Sequence, residues 1–139
     1  NFIIYGAIDD LWLNKENDEV VVVDYKATSN KYGVDYVNSK MAYHKSYLRQ
    51  LDFYAYLLKL NKFKVFKTGY WFVCNAQYKD QKTFSGTLNF KIDLLSYDVN
   101  TDYIENTLVE LEKCYNDNKI PLPSATCDTC RWQKETSKL

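Results

Sequence analysis

Two aspartates and a lysine stand where apolar runs end. Asp9 closes the segment Gly6-Ala7-Ile8-Asp9, and Asp24-Tyr25-Lys26 closes the run Val20-Val21-Val22-Val23. Charges at the ends of core-forming runs carry a heavy desolvation cost when unpaired. Two carboxylates that converge offset that cost by holding a divalent cation through hard oxygen ligands. Side chains alternate along a strand, so Asp24 and Lys26 share a face while Tyr25 points away. The Tyr25 backbone carbonyl between them is a further candidate ligand. A metal held there polarises a phosphate and lowers the pKa of an attacking water. A neighbouring ammonium stabilises the charge that develops. The chemistry is that of a metal-dependent phosphodiesterase. The competing reading is a hairpin whose edge carries a solvated ion pair, and Asp-x-Lys alone does not separate the two. The preceding Gly-x-Ile-Asp, the polar turn between the segments and the valine run leading into Asp24 favour the site.

A second pattern is Gln50-Leu51-Asp52-Phe53-Tyr54. Residues four apart are stacked on one helical face, so Gln50 and Tyr54 present two hydrogen-bonding tips beside the core stripe Leu51/Ala55/Leu58. Such a pair could reach a nucleic-acid backbone or a phosphate near the metal; the alternative is an amphipathic helix with a boundary tyrosine. Lys31, Lys40, Lys45 and Arg49 are interleaved with Tyr32, Tyr36, Tyr43 and Tyr47. Cations contact phosphates and rings stack on unpaired bases, which makes Lys31, Tyr36, Lys45 and Arg49 candidates for nucleic-acid binding. The one histidine, His44, could touch substrate or metal, but it reads more readily as a solvated helix-start residue.

Together, Gly6-x-x-Asp9, Asp24-Tyr25-Lys26 and Gln50-x-x-x-Tyr54 resemble the PD-(D/E)XK nuclease superfamily. The similarity is to its RecB-like exonuclease branch, which includes CRISPR-adaptation exonucleases and the nuclease domains of helicase–nucleases. It covers about residues 4 to 130. It implies that Asp9 and Asp24 bind magnesium or manganese, that Lys26 is the catalytic lysine and that Gln50 and Tyr54 form the helix motif. It also implies a restriction-endonuclease-like core and a DNA substrate, in repair or recombination, alone or with other subunits of a helicase–nuclease, recombination or CRISPR complex. The branch usually has an N-terminal helix that supplies a further His or Glu. This chain begins at Asn1, not Met, and is expected to be a fragment lacking that element. Several members carry an iron–sulfur cluster on one upstream and three C-terminal cysteines. Here Cys127-x-x-Cys130 offers two ligands for zinc or an iron–sulfur cluster, an incomplete site that Cys114 or an upstream cysteine would have to finish. The inactive alternative is a nucleic-acid-binding or scaffolding domain that keeps the fold.

The elements that must position these residues can be read from periodicity and turn signals. Strands are expected over 2–13 and 20–27, joined by the polar turn 14–19. The second strand, apolar on both faces, should be central. A loop follows over 28–43, then a helix over 45–60, strands over 67–78 and 83–93, and a second helix capped by Asn100 or Thr101. Ile104, Leu108, Leu111 and Tyr115 form the stripe of that helix, which ends at 120–123. The tail from Ser124 reads as polar and prone to fray. The order predicts an α/β (α+β) sandwich, a mixed sheet between helices.

The length of 139 residues suits a single domain, 1–139, with a real core. With 18 Lys and Arg against 18 Asp and Glu, net charge gives no general attraction to nucleic acid, so any such surface must be a local patch. No apolar run approaches the roughly 20 residues that span a bilayer, and no signal peptide is evident. A cytoplasmic protein without a membrane partner is expected, its four cysteines reduced.

Overall fold

The computed structural model describes residues 3–29, 44–77, 83 and 85–137. Lys31 and Tyr36 lie outside them, as does most of the loop expected over 28–43. The chain divides into two compact units, Asn1–Ile104 and Glu105–Leu139. The first holds β1 (Asp10–Asn14), β2 (Glu19–Thr28), α1 (His44–Leu60), β3 (Thr68–Ala76) and β4 (Phe90–Asp98). α2 (Ile104–Asn116) starts at the boundary, and α3 (Asp128–Thr136) follows in the second unit. No described helix is long and apolar enough to cross a membrane.

The sheet runs β1-β2-β3-β4. β2 and β3 are parallel, joined across α1, and the outer pairs are antiparallel. The sheet is therefore mixed, with the valine strand in its interior, as its two-sided apolar pattern predicts. The β1–β2 turn is built from asparagines: Asn14 Oδ1 accepts from Glu16 N–H and Asn17 Oδ1 from Glu19 N–H, at 3.0 and 3.1 Å. Asp18 takes a φ of 57° there, a left-handed conformation that short polar residues tolerate.

The core lies between α1 and one sheet face. Leu51, Tyr54, Ala55 and Leu58 of the helix meet Val22, Trp71 and Val73 of the strands. Leu51, Ala55 and Leu58 are the stripe that the helical spacing predicts.

The elements differ from expectation in several places, α2 ending at Asn116 ahead of the expected 120–123 among them. β1 begins at Asp10 instead of residue 2, because the preceding segment packs on α1 instead of extending the sheet. Ile8 joins the core there. The fourth strand covers 90–98, not 83–93, in register from Ala76↔Phe90 to Thr68↔Asp98. Phe90, Ile92 and Leu94 are about half exposed, whereas Leu95 and Tyr97 pack against the core. Its apolar residues thus fall on both faces, so the alternation alone does not say which face meets the core. Last, the tail forms α3. Cys127 Sγ accepts from Cys130 N–H as its N-cap, with Asp128 in the first turn and Lys134 in the last, charges that suit the helix dipole.

Asp52, 2% exposed, ties α1 to the connection after β4. Its Oδ1 accepts from Asn100 N–H at 2.7 Å, and its Oδ2 accepts the hydroxyls of Tyr103 at 3.0 Å and Tyr97 at 3.3 Å. Asn100 Oδ1 in turn accepts from Asp102 N–H at 3.0 Å, an Asx turn ahead of α2. Burial first, together with the Asp52 charge, pushes both phenols from 10.0 up to about 12. Removing the carboxylate strands three donors, so Asp52→Ala should cost about 3 kcal/mol in urea unfolding. The two raised phenols contribute stability that is intact below pH 10 and lost as pH rises through about 12. Absorbance titration should lose two late-ionising tyrosines, relative to the parent, when Tyr97 and Tyr103 are both replaced by Phe.

Candidate active site

The site is built where β1 leaves the sheet. The β1–β2 ladder ends at Asp10↔Val23, so Tyr25 N–H lies beyond its last backbone pair. Asp9 Oδ2 accepts that N–H at 2.9 Å, which anchors the Asp9 carboxylate beside β2. On the other face, Tyr25 donates its hydroxyl to Asp10 Oδ2 at 2.7 Å and sets its ring edge-on to Phe72, centroids 5.3 Å apart. That bond, first among the causes, pulls the Asp10 carboxyl down and pushes the Tyr25 phenol up. Tyr25 is thus pinned on both sides of the strand, with its carbonyl fixed between Asp24 and Lys26.

Asp24 has no exposed surface. Its Oδ2 is in ion contact with Lys26 Nζ, yet neither oxygen accepts a well-aligned hydrogen bond among the described residues. Burial pushes its carboxyl above the ordinary 3.8; Lys26 opposes this, and the nearby Asp9 carboxylate adds to it. Two carboxylates therefore converge, one buried and one exposed. This is not the solvated ion pair of the competing reading.

Lys26 is gripped from α1. Its ammonium donates to Gln50 Oε1 at 2.9 Å and lies 4.7 Å from the centre of the Tyr47 ring. Gln50 Nε2 donates to Tyr54 OH, also at 2.9 Å. Gln50 and Tyr54 come together as their spacing predicts, but they are directed at the lysine. Tyr54 is buried in the core, so its hydroxyl serves Gln50. Tyr47 completes the cluster; its spacing of three from Gln50 and seven from Tyr54 was the available signal.

Gly6 lets the N-terminal segment lie over Tyr54. A Cβ there would come 2.9 Å from Tyr54 Cε1 and 3.2 Å from its Cδ1.

Other candidates fall elsewhere. His44 is 2% exposed, not a solvated helix-start residue; its ring tilts against Tyr47 with centroids 5.7 Å apart. Lys45 and Arg49 are exposed on α1, and Arg49 acts electrostatically on Tyr103. At about 100° per residue, both lie on the Asp52 side of the helix. In the second unit, the Cys127 and Cys130 sulfurs are 2.7 Å apart. Hydrogen bonding from Cys130 lowers the Cys127 thiol pKa and raises that of Cys130. No group of three or more His, Cys, Asp or Glu able to hold a metal occurs among the described residues. Cys114 therefore does not complete a zinc or iron–sulfur set with this pair.

The Asp9/Asp24 pair does suit a hard divalent cation. A buried carboxylate with two oxygens lacking hydrogen bonds, facing a second carboxylate, has a donor set that such an ion satisfies.

A model of the PD-(D/E)XK nuclease superfamily matches residues 1–134. The chain belongs to this superfamily, and its mixed four-stranded sheet together with its three helices is an α/β arrangement consistent with a restriction-endonuclease-like core. Superfamily members are usually phosphodiester-hydrolysing nucleases and typically use magnesium or manganese, so nuclease activity on a nucleic acid is suggested. Comparison with curated proteins and with solved structures gives no match.

Two outcomes follow from this geometry. Gly6→Ala should cost about 1–2 kcal/mol in urea unfolding, because Tyr54 is buried and cannot swing away freely. Asp24→Asn should raise the melting temperature of metal-free protein by about 3 °C, since desolvation outweighs the Lys26 attraction. A drop on thermal unfolding in EDTA would reverse that balance.

Proposed function

We propose that the chain is a divalent-metal-dependent DNA nuclease that works from strand ends. The observation that carries this reading is the buried Asp24 carboxylate, which converges with Asp9 while Lys26 is held beside it. In an ordinary core such a group is a liability; next to a metal and a phosphate it is a ligand.

Asp9, Asp24 and the Tyr25 carbonyl would hold magnesium or manganese, which when bound polarises the scissile phosphate and makes water a better nucleophile. Lys26 places a positive charge at the reacting phosphate and stabilises its oxygens during in-line attack. The water oxygen forms a bond to phosphorus as the bond to the leaving sugar oxygen breaks; the water gives up a proton to solvent and the sugar oxygen takes one up, leaving a phosphate monoester and a hydroxyl. Gln50 aims Lys26, and Tyr54 holds Gln50. Exonuclease action and a DNA substrate rest on the Gln50-x-x-x-Tyr54 likeness to the RecB-like branch.

The test is degradation of end-labelled single- and double-stranded DNA with manganese, with Lys26→Ala alongside. Cleavage by the parent and a loss of about 10²-fold or more in the variant are expected. A ladder shortening from the ends would support exonuclease action. Unaltered cleavage by Lys26→Ala would overturn the site assignment. A folded parent that binds DNA without cutting it would favour the scaffolding alternative.

A further inference from the structure

We infer that Tyr47 is a positioning residue for Lys26, acting through the face of its ring; this rests on the nuclease reading above. An ammonium has three N–H donors and a compact charge on a flexible stem. Without fixed partners it would sample many rotamers. Here it meets three groups: the Asp24 carboxylate, Gln50 Oε1 and the Tyr47 ring. The 4.7 Å separation from the ring centre is within the ~6 Å over which the ring quadrupole attracts a cation.

The three partners are not equivalent. Asp24 carries a full negative charge and, in the proposed reaction, is also a metal ligand. Its hold on the lysine must weaken as it is shared. Gln50 and Tyr47 are neutral, so they retain the ammonium without cancelling its charge. That leaves the charge available to a phosphate. Lys26 is partly protected, its side chain 18% exposed, which strengthens a cation–π contact relative to one in open water.

Tyr47 is itself held in place. It packs against the buried cluster around Leu51 and Trp71, and its ring leans on that of His44, the buried first residue of α1. Tyr47, Gln50 and Tyr54 follow one face of the helix, so one rigid element sets both neutral contacts to the lysine. The contact needs the ring and not its hydroxyl.

That distinction supplies the experiment. Position 47 is replaced with Phe, with 3,4,5-trifluorophenylalanine and with Leu. The fluorinated ring keeps the shape but loses most of its attraction for cations. Manganese-dependent cleavage should be within about twofold of the parent for Tyr47→Phe. The fluorinated variant should show kcat about tenfold lower with KM little changed, and Tyr47→Leu should fall at least as far. Melting temperatures should match for Phe and its fluorinated analogue. Independently of cleavage, the Lys26 ε-methylene protons should show an upfield ring-current NMR shift that Tyr47→Leu abolishes. Parent-like kcat in the fluorinated variant would reduce Tyr47 to packing, and an unshifted Lys26 would remove the contact itself. A parent that shows the shift yet cleaves nothing would overturn the nuclease reading and, with it, this role.

Discussion

The first unit is organised around an aspartate in its interior. Asp24 occupies a strand with neighbours on both sides and a helix above, with no exposed surface. Water cannot solvate it, and the described backbone does not hydrogen-bond it. Something must offset the charge, and the sequence supplies it at short range. Lys26, on the same face of the same strand, supplies the opposite charge, whereas Asp9, brought alongside by Tyr25 N–H, adds to the burden. The surrounding Val22, Val23, Trp71 and Val73 are all buried. Their packing provides the apolar stability that lets one costly group be retained.

The helix above the sheet has two polar faces with separate tasks. Tyr47, Gln50 and Tyr54 look toward the lysine. Asp52, about 200° round the axis from Gln50, fastens the helix to the Asn100 backbone and to Tyr97 and Tyr103. The stripe of Leu51, Ala55 and Leu58 lies between them. A helix held on both flanks cannot roll about its axis, and a roll is the motion that would take Gln50 and Tyr47 off the ammonium. The Asp52 cluster lies on the opposite side of the helix from Gln50 yet bears on how firmly Gln50 and Tyr47 are aimed at Lys26.

Much of this arrangement was legible in the residues, for identifiable reasons. Four valines followed by a charged tripeptide have few uses other than an interior strand that ends in a site. The four-residue step from Gln50 to Tyr54 stacks them on any helix. Both inferences need only local periodicity. The fourth strand, expected over 83–93, pairs over 90–98, because its register is set by β3 and its exposed Phe90, Ile92 and Leu94 are as apolar as its inward residues. α3 was missed because its cap is a cysteine, a weaker and rarer cap than Ser, Thr, Asp or Asn. The contact of Tyr47 with Lys26 depends on where a crossover helix lies on a sheet, and no local pattern encodes that. The same holds for Asp9, whose place depends on β1 beginning one residue later, at Asp10.

The parallel pairing of β2 with β3 sets the order in which these parts can come together. The β1–β2 hairpin is local in the chain and can close early, bringing both carboxylates and the lysine onto one ribbon. The helix must then cross over and β3 must dock before Gln50 and Tyr47 reach the ammonium, a contact spanning 24 residues to Gln50 alone. Closing so long a loop is slow relative to hairpin formation. Topology alone thus favours pairing of the hairpin ahead of the contacts that Gln50 and Tyr47 make with the lysine. The neutral contacts of the lysine, from Gln50 and Tyr47, arrive only with the completed fold.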